Sequence, residues 1–389
     1  MAKQGFYASP VKIKVIGVGG GGCNAITRMI REQVRGVEFI AMNTDAQALQ
    51  LTEAPIQFQL GERSTRGLGA GGDPVMGQKA GEESRDELKS LIAGSDMVFV
   101  TCGMGGGTGT GAAPIIADIA RQSGALTISV VTKPFSFEGT RRRRNADEGI
   151  ALLTTRSDTV IVIPNDRLLD TCDEKTGIDK AFELADDVLR HGVQAISDVI
   201  TSPGMINLDF ADVKAITKNA GPAWMSIGLG TGKNRAVDAA KEALASPLLD
   251  VAITGARGVL FNVIGGKDLT LFEVNEAAAV IKKAVDPDAN IIFGVAHDDR
   301  MDKEVRITLI ATGFVTVGTG ERIYDDDLSK ALKEIKTDDE FDMPSFLRRT
   351  GYIQRRQAIP QTKVISPQNK GAMQNKGSRQ SIEELVRED

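Results

Sequence analysis

The chain has 389 residues, 41% of them apolar, with a formal net charge of −5 and a pI near 5.4. That length predicts two domains and a tail, and that charge excludes a protein that coats nucleic acid. No apolar run is long enough to span a bilayer, Met1–Pro10 lacks a signal-peptide pattern, and Cys23, Cys102 and Cys172 contain no Cys-x-x-Cys pair, so a reduced cytoplasm without a zinc site is expected.

Lys12–Val18 reads as a buried strand rich in β-formers. Gly17–Gly22 follows, then a helical pattern through about Glu32. Gly17, Gly19 and Gly22 have the G-x-G-x-x-G spacing of a dinucleotide site, and Asp45, after the strand Val37–Met42, stands where such a fold puts its ribose-binding acid. Taken alone, this unit points to NAD. Gly67–Gly72 is a second bare loop, before Asp73-Pro74.

The stretch Gly103–Gly111 carries most of the chemistry. Six of its nine positions are glycine, between the apolar strand Met97–Cys102 and a helix predicted over Ala112–Arg121. A bare strand-to-helix loop turns N–H groups toward one point, and the helix N-terminus adds partial positive charge. Thr108 and Thr110 add hydroxyl donors, and no acid interrupts the loop. The stretch predicts a seat for a di- or triphosphate. Three glycine-rich loops suit a phosphate chain wrapped from several sides, whereas a dinucleotide needs mainly the first. The pattern G-x-x-x-x-G-K-[ST] is absent, so this is not a P-loop protein.

Leu126–Thr132 is another strand. Of Arg141–Arg144, three read as a solvated helix start and one as able to reach a nucleotide, with Glu138 placed to accept from a ribose hydroxyl. After the strand Val160–Ile163 comes the longest helical pattern, in which Ile178, Phe182, Ala185, Leu189, Val193, Ile196 and Ile200 recur at spacings of three and four until Pro203-Gly204. Beyond it, Asp209 and Asp212 sit near a helix start, where capping and catalysis both fit. Strands over Ala223–Gly230, Gly258–Ile264, Ile291–Ala296 and Val305–Ala311 alternate with helices over Asn234–Ala245 and Leu271–Val285, a small open α/β layer with Trp224 in its core. His191 and His297 read as ordinary surface or helix residues. From Thr350 to Gln380 the composition predicts disorder, with islands at Asp342–Arg349 and Ser381–Val386 that suit docking peptides.

The segments 13–22 (IKVIGVGGGG), 43–49 (NTDAQAL), 67–72 (GLGAGG), 103–114 (GMGGGTGTGAAP), 131–139 (VTKPFSFEG), 163–166 (IPND), 207–213 (NLDFADV), 246–249 (SPLL), 255–260 (GARGVL) and 291–294 (IIFG) together resemble the tubulin/FtsZ family, over roughly Lys12 to Phe314. The resemblance implies an α/β fold: a Rossmann-like GTP-binding domain (11–178) after a short extension (1–10), a central helix (179–202), a smaller α/β polymerisation domain (203–317), and a mostly disordered tail (318–389) with a docking peptide near 342–349. It implies a cytoplasmic GTPase that polymerises head to tail into the cytokinetic ring at midcell. Division proteins and a membrane tether would bind through the tail, without nucleic acid and without insertion into the bilayer.

By the same resemblance, Gly20, Gly21, Asn24, Ala70, Gly71, Gly103, Gly106, Gly107, Thr108 and Gly109 line GTP or GDP, with Mg²⁺ held mainly by the phosphates and no protein ligand assigned. Glu138 and Arg142 match the ribose-side and phosphate-side contacts. Asn165, Phe182 and Asp186 match the guanine contacts, and Asn207, Asp209 and Asp212 the catalytic loop. If Phe182 and Asp186 touch the base, a helix over 179–202 about 35 Å long at 1.5 Å per residue carries the chain away from it. Asp209 then acts on the nucleotide of the next subunit. Two departures stand out. Cys23 takes a position that is glycine in many relatives, and a thiol beside a helix N-terminus is expected to have a lowered pKa and redox sensitivity. The docking peptide follows the core closely, with about forty residues after it. An NAD oxidoreductase and a nucleotide-binding relative that hydrolyses poorly are the competing readings.

Overall fold

The computed structural model describes residues 11–169, 177–201, 209–246, 248, 253–298 and 300–314. The extension 1–10, Cys172, Asn207, the tail 318–389 and its docking peptide lie outside the described residues.

Strand β1 (Ile13–Val18) sends Ile13 and Val15 into one core and Ile16 and Val18 into another. Both faces of the strand are covered, as in a parallel sheet between helices. The chain continues through α1 (Gly19–Arg31), β2 (Glu38–Asn43), α2 (Ala46–Gln50), β3 (Ile56–Gln59), α3 (Glu62–Thr65), α4 (Pro74–Glu83), α5 (Arg85–Ile92), β4 (Met97–Gly103), α6 (Thr108–Gln122), β5 (Leu126–Lys133), a 3₁₀ turn (Ser136–Glu138), α7 (Thr140–Arg156), β6 (Thr159–Pro164) and α8 (Asn165–Leu169). Next comes α9 (Ile178–Thr201), then α10 (Phe210–Thr217), β7 (Gly221–Thr231), α11 (Arg235–Ala245), β8 (Gly258–Gly265), α12 (Leu271–Ala284), β9 (Asn290–His297) and β10 (Glu304–Thr312).

The strands form a ten-stranded sheet in the order β3-β2-β1-β4-β5-β6-β7-β10-β8-β9. The first six are parallel, while β10 runs antiparallel to β7 and β8. One core lies between the sheet and α1 and α9, a second against α4 to α7, and a third under α11 and α12. Helix α9 joins the two halves as expected, with Leu189, Val193 and Ile196 in a core that also takes Leu260 and Ile310. A short parallel pairing joins them as well, with Thr159, Val160 and Ile161 of β6 beside Gly221, Pro222 and Ala223 of β7. Trp224 is half-buried rather than fully in the core, edge-on to Phe314 at 4.3 Å.

Helix α6 begins at Thr108, four residues before the predicted start at Ala112, so the second half of the glycine stretch is its first turn. Pro114 lies inside the helix rather than at its start. Close packing favours this bare turn, since a Cβ at Gly111 would stand 2.1 Å from the Pro74 carbonyl oxygen of α4. The remaining loop is Met104–Gly107, where Gly105 has φ +100°, a conformation that favours glycine. Gly19–Gly22 likewise form the first turn of α1.

Candidate functional site

The C-terminal ends of β1, β4, β5 and β6 open onto a cleft of about 410 Å³, within the usual range for a ligand site. Its floor is built by two helix N-termini. Gly20, Gly21 and Asn24 come from α1; Gly106 and Gly107 precede α6, and Thr108 and Gly109 open it, with Gly103 between the two helices. Neither helix has an acidic residue in its first turn or a side-chain cap. Their N–H groups and the positive ends of both helix dipoles therefore face the same space, the arrangement that binds phosphate.

Thr108 lines this floor, and its Oγ1 lies 2.6 Å from that of Thr44 after β2. Thr110 does not line the cleft as expected. Its hydroxyl oxygen accepts from the Gly105 N–H at 2.8 Å and so braces the loop. Ala70 and Gly71 are also absent from the lining. Ala70 instead backs the loop, its Cβ standing 2.8 Å from where a side chain at Gly107 would begin.

One wall carries Glu138 and Arg142, which are hydrogen-bonded to each other. Glu138 also accepts from the Phe135 N–H at 2.9 Å. The other three arginines of the run stay out of the cleft: Arg144 pairs with Glu148, Arg143 lies 4.0 Å from Asp166, and Arg141 is exposed.

The far end is formed by Asn165, Phe182 and Asp186. Asn165 is buried at the start of α8 and, among the described residues, its Oδ1 has no hydrogen-bond partner. A buried acceptor without a partner, on a residue that lines the cleft, is a candidate for a donor from a ligand. Phe182 is 41% exposed, set edge-on to Phe135, which leaves ring surface for a flat group. Burial pushes the Asp186 carboxyl up to about 7, opposed by the charge of Arg28. Arg28 holds Asp187 through two hydrogen bonds of 3.0 and 2.9 Å, tying α1 to α9. Ala185 and Leu189 complete this wall and were not named as site residues, although they follow Phe182 at spacings of three and seven.

Asp45 does not enter the cleft. Its carboxylate accepts from the Gln47 and Ala48 N–H groups as the cap of α2. The main argument for NAD therefore falls, because that acid is engaged by its own helix. Cys23 also departs from expectation. It is buried, its thiol directed to the Met42 carbonyl at 3.7 Å, and burial pushes its pKa up to about 12 rather than down.

Asp209 and Asp212 do not line the cleft. Asp209 occupies the N-cap position of α10 but makes no side-chain cap bond, and both carboxylates are exposed. Capping, the bland account of Asp209, thus leaves its side chain unused. Among the described residues no group of three or more His, Cys, Asp or Glu is arranged to hold a metal, and no helix is long and apolar enough to cross a membrane.

The GTPase-domain model of the Tubulin/FtsZ family matches residues 12–173, and the C-terminal-domain model of the FtsZ family matches 221–315. An empty FtsZ dimer of M. jannaschii superposes with a TM-score of 0.77 at 46% identity, covering 79% of this chain and 89% of that one. A point mutant of the same FtsZ superposes at 0.76 and 47% identity, covering 78% and 91%. CetZ2 from Haloferax volcanii, solved as a GTPγS-bound protofilament, is similar in fold, with a TM-score of 0.67 at 18% identity over 84% of this chain and 100% of that one.

Proposed function

The chain belongs to the tubulin/FtsZ family of GTPases, and on that premise we propose that it is a GTP-dependent cytoskeletal protein of cell division that assembles head to tail and hydrolyses GTP where subunits meet. Residues 11–178 bind nucleotide, 179–202 form the central helix, and 203–317 present the acids to the next subunit. The tail, 318–389, recruits division proteins and a membrane tether to a ring at midcell in the cytoplasm.

In this reading the α1 and α6 N-termini hold the phosphates, with the Thr108 hydroxyl donating to one of them. Glu138 and Arg142 face the ribose and phosphates. Phe182 stacks on guanine, Asp186 accepts from its N–H groups, and the orphan Asn165 oxygen accepts another. Ala70 supports the loop from behind, and Gly71 follows it in the same bare turn. Mg²⁺, when bound, would be held mainly by the phosphates, whose charge it would screen, since the cleft floor supplies N–H groups and hydroxyls rather than carboxylates. Asn207, Asp209 and Asp212 orient and polarise the attacking water.

The carrying observation is a separation. Phe182 and Asp186 lie in the first nine residues of the 24-residue α9, which rises about a further 22 Å from Asp186 to Thr201 at roughly 1.5 Å per residue, while Asp209 and Asp212 follow its other end. The cleft's own carboxylates, Glu138 and Asp186, are taken by the ribose and the base in this reading, so the acids outside it, Asp209 and Asp212, would complement the cleft of a second copy. Leu68, Val75 and Phe137 are exposed, Phe137 next to the cleft-lining Glu138, and supply apolar surface for such a contact. The test is GTP turnover per subunit against protein concentration with Mg²⁺ present. A steep rise above a threshold supports a shared site; a flat, nonzero rate would mean a site complete within one chain. Bound GTP without turnover at any concentration would favour a structural relative that hydrolyses poorly.

A further inference from the structure

Helix α10 carries Asp209 and Asp212 at one end, and its other end is held from two sides. The buried Thr159 hydroxyl, at the start of β6, donates to the Thr217 carbonyl of α10. The buried Thr312 hydroxyl, at the end of β10, donates to the Ile216 carbonyl at 2.9 Å. These carbonyls belong to the last turn of the helix, where no intrahelical N–H reaches them.

Asp158 completes the joint. Its buried carboxylate accepts from the Thr127 N–H at 2.9 Å and the Asn219 N–H at 3.4 Å, and its own carbonyl accepts from the Gly221 N–H at 2.9 Å. Asn219 turns the chain out of α10 at φ +54°. Its side-chain oxygen accepts from Arg121 at 2.7 Å. The joint sits where β6 and β7 pair, so it touches both halves of the sheet.

We propose that Asp158, Thr159 and Thr312, with Arg121 and Asn219 on the exposed side, are positioning residues for GTP hydrolysis: they fix the foot of α10 to both halves of the molecule and thereby aim the acids at its head. The inference rests on the shared-site reading above. From Asp209 to Thr217 the rise is about 12 Å. A tilt of about 5° at the foot therefore moves the head by about 1 Å, a misplacement that can cost on the order of a hundredfold in rate. None of the five lines the cleft, so nucleotide affinity does not depend on them.

Thr159→Val and Thr312→Val each delete one donor at nearly constant volume. In the full-length protein with Mg²⁺, turnover per assembled subunit is expected to fall about tenfold. The dissociation constant for GTP, KM and the concentration threshold for assembly should stay within about twofold of wild type. Thr159→Ser and Thr312→Ser, which keep the hydroxyl, should restore turnover. Valine variants that assemble and hydrolyse as wild type overturn the proposal. So do variants in which affinity and turnover fall together, or a failure of serine to rescue. If a valine variant does not fold, Arg121→Met and Asn219→Gly on the exposed side decide by the same split. A wild-type rate that is flat with concentration would instead remove the shared site itself, an outcome read before any variant is made.

Discussion

Thr44 and Thr108 share a hydrogen bond of 2.6 Å between their hydroxyls. It ties the end of β2 to the first residue of α6. Thr108 has one hydroxyl proton; when Thr44 donates, that proton is left for a phosphate oxygen. Thr108→Val removes both bonds. A hydrogen bond to a charged group contributes about 1.5–3 kcal/mol, so GTP affinity should fall about ten- to a hundredfold. Thr44→Val should cost less, because the Thr108 hydroxyl remains. Titration calorimetry checks this, and equal losses for the two variants would contradict it.

Asp186 should make nucleotide binding pH-dependent. Burial pushes its carboxyl up to about 7. Only the ionised form accepts fully from the N–H groups of guanine, so GTP will lower this pKa and expel a proton near neutrality. Affinity should rise as pH increases through about 7, with proton release visible by calorimetry in buffers of different ionisation heat. Stability of the empty protein runs the other way. The folded pKa of about 7 exceeds the reference value of 3.8, so the native state holds the extra proton between them and stability falls as pH rises across that window. Asp186→Asn should bind GTP weakly, release no proton and, at about pH 8, melt above wild type. An affinity that does not change with pH would refute the assignment.

The strands around the cleft were legible because β1, β4 and β5 are buried on both faces and are dominated by apolar residues, with Lys14, Thr127 and Ser129 among the interruptions. Helix α9 was legible because Leu189, Val193 and Ile196 keep a helical period. The first turn of α6 was not. Four residues of alternating threonine and glycine have poor helix propensity, and what compensates is the close contact with α4, which sequence does not display. Helix α4 itself was missed for a related reason, since glycine and alanine on its buried face give little apolar contrast. Thr110 was read as a phosphate donor because a hydroxyl in a loop carries no sign of its direction. The pairing of β6 with β7 spans residues 159 to 221 and leaves no local signal.

Arg235 predicts an acid-sensitive joint. A cation at the first position of α11 opposes the helix dipole, and two carboxylates offset it: Asp268 at 2.6 Å and Glu273 at 2.7 Å. The hydrogen bond from Arg235 leads the causes that hold the Glu273 carboxyl down at about 2. Its contribution is therefore present above the ordinary value of 4.5 and is lost as pH falls from there toward about 2. Arg235→Met should cost about 2 kcal/mol near neutral pH, less than a fully buried pair because the carboxylates are partly solvated. Thermal unfolding from about pH 7 downward checks both statements, since the variant should lose less stability on acidification than wild type. Equal melting temperatures at neutral pH would contradict the role.

Asp212→Ala should retain GTP binding and assembly but lose turnover, because its cleft is intact and the water-orienting acid is gone. Turnover close to wild type would rule out a catalytic Asp212. Which subunit the acid serves is read by mixing. Asp186→Asn has an impaired cleft and intact acids; Asp212→Ala has the reverse. In a head-to-tail polymer with equal random incorporation, about a quarter of contacts join an intact cleft to intact acids. A mixture of two variants that are each nearly inactive should then recover about that fraction of wild-type turnover, with co-sedimentation showing that both enter the polymer. If both are incorporated and no activity returns, cleft and acids serve the same subunit. The length of α9 would then not have separated them.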